Sequence, residues 1–114
     1  MSVNLNTRHV GDITVIDVSG RITLGEGSSA MRHEMLSLTT SGARKILLNL
    51  GDVSYIDSSG IGELFAGLTS VAKAGGTMKL MNPTRRVKDL LGMTNFNAIF
   101  EVHEDEAHAV RSFE

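Results

Sequence analysis

Between residues 45 and 81 the chain alternates an apolar run, an amphipathic stripe and a second apolar run, and this alternation restricts the fold more than any other feature. Lys45-Ile46-Leu47-Leu48-Asn49-Leu50 is short and rich in branched apolar residues. Ile46, Leu48 and Leu50 fall on one pleat face, and Leu47 requires cover on the other. Thr77-Met78-Lys79-Leu80-Met81 also reads as a strand. Between the two, Ile61, Leu64, Phe65, Leu68, Val71 and Ala72 recur at helical spacing until Gly75-Gly76. A strand, a helix and a strand in that order pack as a parallel pair with a right-handed crossover.

The flanking segments extend this pattern. Gly11-Asp12 separates residues 3–10 from residues 13–18, a two-residue loop with glycine first, which signals a β-hairpin. Val3, Leu5 and Thr7 share a face of the first strand. The second strand is apolar on both faces, so it is expected to be more central. Residues 21–27 read as a loop, and Ser28 or Ser29 as the cap of a helix carrying Ala30, Met31, Met35 and Leu38 up to Gly42. Residues 51–58 read as a connection in which Val53, Tyr55 and Ile56 turn inward. Asn82-Pro83 predicts an N-cap and first helical residue for a helix through Val87, Leu90 and Leu91. Residues 98–102 predict an edge strand, and Glu104, Asp105 and Glu106 open a last helix. The order is ββαβαβαβα, a single α/β domain over residues 1–114. It has an N-terminal β-hairpin leading into a mostly parallel sheet with helical crossovers.

Composition removes several functions. The chain has 114 residues and no cysteine, so disulfide, thiol, iron–sulfur and cysteine–zinc chemistry are excluded. A net charge of −2 with only 4% aromatic residues argues against nucleic acid, and Lys73, Lys79, Arg85, Arg86 and Lys88 read as a solvated face. No signal-peptide pattern or membrane-spanning run is evident, so a cytoplasmic domain without a membrane partner is expected. His9, His33, His103 and His108 show no metal-ligand spacing, and capping or solvation accounts for Glu101, Glu104, Asp105 and Glu106, so no metal is expected. Gly-x-Ser-x-Gly is missing around Ser58 and Ser59, and Gly60-Ile61-Gly62 lacks the third glycine and the lysine of a nucleotide loop. Neither catalysis nor a cofactor is expected.

Asp57-Ser58-Ser59-Gly60-Ile61-Gly62 is what capping alone leaves unexplained. Asp57, Ser58 and Ser59 are all competent caps, yet no Glu or Gln follows to close a capping box. Each glycine in the first turn costs about 1 kcal/mol of helix propensity relative to alanine. Their bareness leaves hydroxyls and backbone donors approachable, which suits a partner surface or an enzyme that modifies a hydroxyl.

The run Ile46-Leu47-Leu48-Asn49-Leu50-Gly51-Asp52-Val53-Ser54-Tyr55-Ile56-Asp57-Ser58-Ser59-Gly60-Ile61-Gly62 resembles the STAS domain family, specifically the bacterial anti-sigma factor antagonists. Val18-Ser19-Gly20-Arg21-Ile22, Gly75-Gly76, Asn82-Pro83 and Val87-Lys88-Asp89-Leu90-Leu91 extend the resemblance over essentially the whole chain. It implies a binding protein that captures an anti-sigma factor, itself a histidine-kinase-like ATPase and serine kinase, and so releases a sigma factor. It further implies inactivation by phosphorylation at Ser58, with Ser59 as the alternative, and reversal by a PP2C-type phosphatase. The implied partner-binding residues are Thr23, Asp57, Ser58, Ser59, Gly60, Ile61 and Gly62. Thr23 stands where the family's antagonists commonly carry an acid. An unphosphorylated STAS scaffold or signalling-complex subunit is the alternative implied.

Overall fold

A computed structural model describes residues 3–23, 26–93, 95 and 98–114, without the side chains of residues 26–29. The strands are β1 (Val3–Val10), β2 (Ile13–Ile22), β3 (Lys45–Ile56), β4 (Thr77–Met81) and β5 (Val102–His103). The helices are α1 (Glu26–Thr40), α2 (Ser58–Lys73), α3 (Arg85–Met93) and α4 (Glu106–Arg111). Gly11, at φ +61°, makes the hairpin turn that joins β1 to β2, a conformation that a side chain would strain. The sheet order is β1-β2-β3-β4-β5, antiparallel between the first two strands and parallel thereafter.

Because spatial order follows chain order, right-handed crossovers that advance in one direction place every crossover helix on one face of the sheet. The packing shows this. Met31 and Met35 of α1, Ile61, Leu64 and Val71 of α2, and Val87 and Leu91 of α3 share one core with Ile16, Val18, Ile46, Leu48 and Leu80. The opposite face is covered in part by α4 and the residues after it, where Ala109, Val110 and Phe113 pack on Ile13, Val15, Leu47 and Met81. This is the cover that Leu47 and the two-sided β2 required.

Several local expectations change. β3 does not end at Leu50: residues 51–56 belong to the strand, pairing with β2 across two register shifts. The Ser54 hydroxyl donates to the Gly20 carbonyl at 3.0 Å at this irregular stretch. β2 runs to Ile22, and α1 begins at Glu26, so Arg21 and Ile22 are strand and Ser28 and Ser29 lie inside the helix instead of capping it. Asn82 has φ 59°, which no N-cap adopts; Thr84 caps α3 instead, its Oγ1 accepting from Val87 N at 3.3 Å. The predicted strand over residues 98–102 shrinks to Val102–His103.

The inward face of α2 is also turned from the expected stripe. Ile61, Leu64 and Val71 are buried, but Leu68 is half-buried, Ala72 is exposed and Phe65 is 41% exposed. Gly67 is the reason: it is buried against Met35, so α1 approaches where a larger residue would have stood.

Candidate functional site

β2 and β3 end side by side, with Arg21 paired to Tyr55 and Ile22 to Ile56. The next residues, Thr23 and Asp57, therefore leave the same end of the sheet, and both are half-buried. Asp57 is the N-cap of α2: its backbone is extended, and its Oδ1 accepts from Gly60 N at 2.8 Å. The Asp57 carbonyl accepts from Ile61 N at 3.0 Å, closing the first helical turn. Ser58 and Ser59 thus occupy the first two helical positions. Both are exposed, and neither hydroxyl has a hydrogen-bond partner among the described residues. The first turn contains no acid, so the Asp57 cap supplies the carboxylate at the positive end of the helix dipole.

Beyond the half-buried Thr23 and Asp57, the members of the predicted site divide into two sets. Ser58, Ser59 and Gly62 face solvent; Gly60 and Ile61 are buried. A Cβ on Gly60 would collide with the Ile22 carbonyl oxygen and crowd Ile56, so this glycine is required by packing rather than by access to the serines. Ile61 belongs to the core. Gly60 and Ile61 fix the position of the turn from inside the domain. Gly62 meets nothing within 4 Å and remains bare.

One neighbouring feature left no signal in residue spacing. Tyr55 is half-buried between two guanidinium groups, with Arg21 4.7 Å and Arg86 4.4 Å from its ring centroid. Alongside, Arg85, Arg86, Asp89, Leu90 and Met93 line a cleft of about 450 Å³. Ser58 is not among its lining residues. Arg85 and Arg86 do lie at the surface, as expected, but Lys79 does not. It is buried, with its ammonium on Glu101 at 2.9 Å, on the Ser112 carbonyl and over the Phe113 ring.

The C-terminal acids are each taken up by a cation or a cap. Glu101 meets Lys79, Glu104 meets Lys88, Asp105 caps α4, and Glu106 receives Arg8 at 2.6 Å. Arg8 also reaches Asp17 at 2.7 Å and holds both carboxyls below their ordinary range, chiefly by hydrogen bonding. Among the described residues, no three His, Asp or Glu side chains converge in a way that could hold a metal ion. No described helix is long and apolar enough to cross a membrane.

A hairpin, a parallel sheet helical on its crossover face and a serine turn at the start of the second helix define a STAS fold. The STAS domain model matches residues 4–109, and the chain belongs to that family, among its anti-sigma factor antagonists. It is a regulatory binding domain and not an enzyme. It is 33% identical, over 89% of both chains, to a Thermotoga maritima protein proposed to be an anti-sigma factor antagonist. It is 28% identical to the anti-sigma-B factor antagonist of Bacillus subtilis, over 90% of this chain and 92% of that one. Its fold superposes on the phosphorylated form of the Bacillus cell fate determinant SpoIIAA with a TM-score of 0.73, covering 97% of this chain and 100% of that one at 18% identity.

Proposed function

We propose that the unmodified Ser58 turn captures an anti-sigma factor of the histidine-kinase-like ATPase class and thereby releases its sigma factor. Phosphorylation at Ser58 ends the capture. The kinase is the anti-sigma factor itself, and a PP2C-type phosphatase restores the serine. The domain acts in the cytoplasm, without contacting nucleic acid or membrane. The observation that carries this reading is the division of labour in the turn. Asp57 performs the capping, which leaves the Ser58 hydroxyl exposed and unbonded at the first helical position. A capping serine would hold its oxygen against backbone amides and present it poorly to a kinase.

The positive end of α2 accommodates a phosphate locally, since anions at helix N-termini are stabilised by free amides and the dipole. The switch therefore acts on the partner surface and leaves the fold intact. A dianion that must be desolvated in an interface without a counter-charge opposes binding strongly.

The test is calorimetric binding of one purified kinase-like partner to wild type, Ser58→Ala, Ser58→Asp and enzymatically phosphorylated protein, with the phosphate mapped by mass spectrometry. Ser58→Ala binds and resists inactivation by ATP; the phosphorylated form and Ser58→Asp lose about tenfold or more in affinity. Phosphate on Ser59 would move the switch by one residue. Equal binding of phosphorylated and unmodified protein would replace it with the unphosphorylated scaffold reading.

A further inference from the structure

Arg21 and Arg86 meet over the Tyr55 ring as a cationic site with no ion-pair partner among the described residues. Arg8, Arg32, Lys45, Lys79 and Lys88 each form an ion pair within the chain. Arg21, Arg85 and Arg86, like Arg44, Lys73 and Arg111, form none among the described residues, although the chain as a whole is acidic at −2. Of these, Arg21 and Arg86 converge on one ring. The ring attracts the guanidinium groups without accepting a conventional hydrogen bond in the plane of their N–H donors, and a carboxylate can take those donors. The side-chain ordering that such a contact ordinarily demands has largely been met before a partner arrives.

Beside these donors the surface is apolar. Leu90 and Met93 line the cleft next to Arg85 and Arg86, and Met93 is 81% exposed. A small anion would satisfy the arginines and leave this surface in water. A peptide segment carrying carboxylates next to apolar side chains covers both. Asp89 lines the same cleft and marks where a second carboxylate is disfavoured.

We propose that this surface, continuous with the end of the sheet that bears Ser58, receives an acidic amphipathic segment of the protein partner. A carboxylate lies on Arg21 and Arg86, and an apolar side chain fills the cleft against Leu90 and Met93. The proposal rests on the reading of this end of the molecule as the partner surface. Ser58 follows Tyr55 by three residues, so their Cα atoms are separated by at most about 11 Å. A phosphate there adds negative charge near the cationic site, an effect that salt screens.

The experiment titrates the ¹⁵N-labelled full chain with a synthetic helical peptide of glutamate and leucine, with a control in which every glutamate is lysine, and with sodium phosphate. The acidic peptide should shift the Arg21 and Arg86 Nε–H signals and the backbone signals of Tyr55, Leu90 and Met93. Its affinity should drop about fivefold or more in Arg21→Gln and in Arg86→Gln, and should weaken as salt is raised. Tyr55→Leu, which keeps both charges but removes the stacking ring, should also weaken it. Shifts centred elsewhere, equal binding of the lysine peptide, or unchanged affinity in both arginine variants would overturn the proposal. Phosphate binding at these signals as tightly as the peptide would overturn it in favour of a small-anion site. No kinase enters this titration and no arm of it depends on phosphate at Ser58, so a failure here and a failure of the Ser58 switch are read separately.

Discussion

The Ile22 carbonyl lies where a side chain on residue 60 would have to be, so the end of β2 and the first turn of α2 meet across Gly60. Gly60→Ala should cost about 1–3 kcal/mol through overpacking against backbone, despite the gain of about 1 kcal/mol in helix propensity. Gly62→Ala, two residues on in open space, should instead be neutral or stabilising by up to about 1 kcal/mol. Urea denaturation of both variants checks the pair, and opposite signs are the expected result.

Leu64 is 1% exposed within the main core. Leu64→Ala should destabilise by about 2–5 kcal/mol, from lost burial and the cavity left behind. Leu68→Ala, at a half-buried position, should cost clearly less in the same denaturation series. Equal losses would place Leu68 fully in the core.

Asp57→Ala removes the side chain that accepts from Gly60 N. The expected loss is about 0.5–2 kcal/mol, since Ser58 or Ser59 would have to rearrange to replace it. Ser58→Asp should change stability in the other direction, gaining about 0.3–1 kcal/mol from an anion beside the helix amides. Thermal denaturation in low salt resolves both.

Acid should loosen the second face of the sheet. Arg8 lowers Asp17 and Glu106 from ordinary values of 3.8 and 4.5. A carboxyl with a lower pKa in the folded state adds stability that is fully present above its unfolded value. That stability is lost as pH falls through the folded value. Wild type should therefore lose stability progressively below about pH 5, and Asp17→Asn and Glu106→Gln should each flatten that loss. Urea midpoints measured from neutral pH down to the onset of acid unfolding give the comparison; parallel curves would dissociate these groups from the acid response.

The order of elements and the site turn were legible in the sequence because they depend on local periodicity and on glycine and cap placement. Gly11-Asp12, Gly42 and Gly75-Gly76 end their elements where the residue types require. What was not legible depends on neighbours distant in the chain. Gly51, Asp52 and Ser54 look like loop residues and become strand only because β2 offers a bulged edge to pair with. Phe65 looks like core by spacing and is displaced because Gly67 admits Met35. Tyr55 gives no local hint that Arg21 and Arg86 will both lie on its ring. In the turn itself, the exposed serines were readable from residue type, whereas the burial of Gly60 follows from the Ile22 backbone.

Sheet order that follows chain order bears on how this molecule is made. During synthesis each new strand finds its neighbour already emerged, and no strand must wait to be inserted between two others. Each parallel pairing must still wait for a whole crossover to be made, as between Leu48 and Leu80, so the sheet closes slowly compared with a structure held by local contacts. The bond from Arg8 to Glu106 waits longer, since its partners lie 98 positions apart. Of the described elements β1 emerges first, but its link to α4 can close only after residue 106 has emerged.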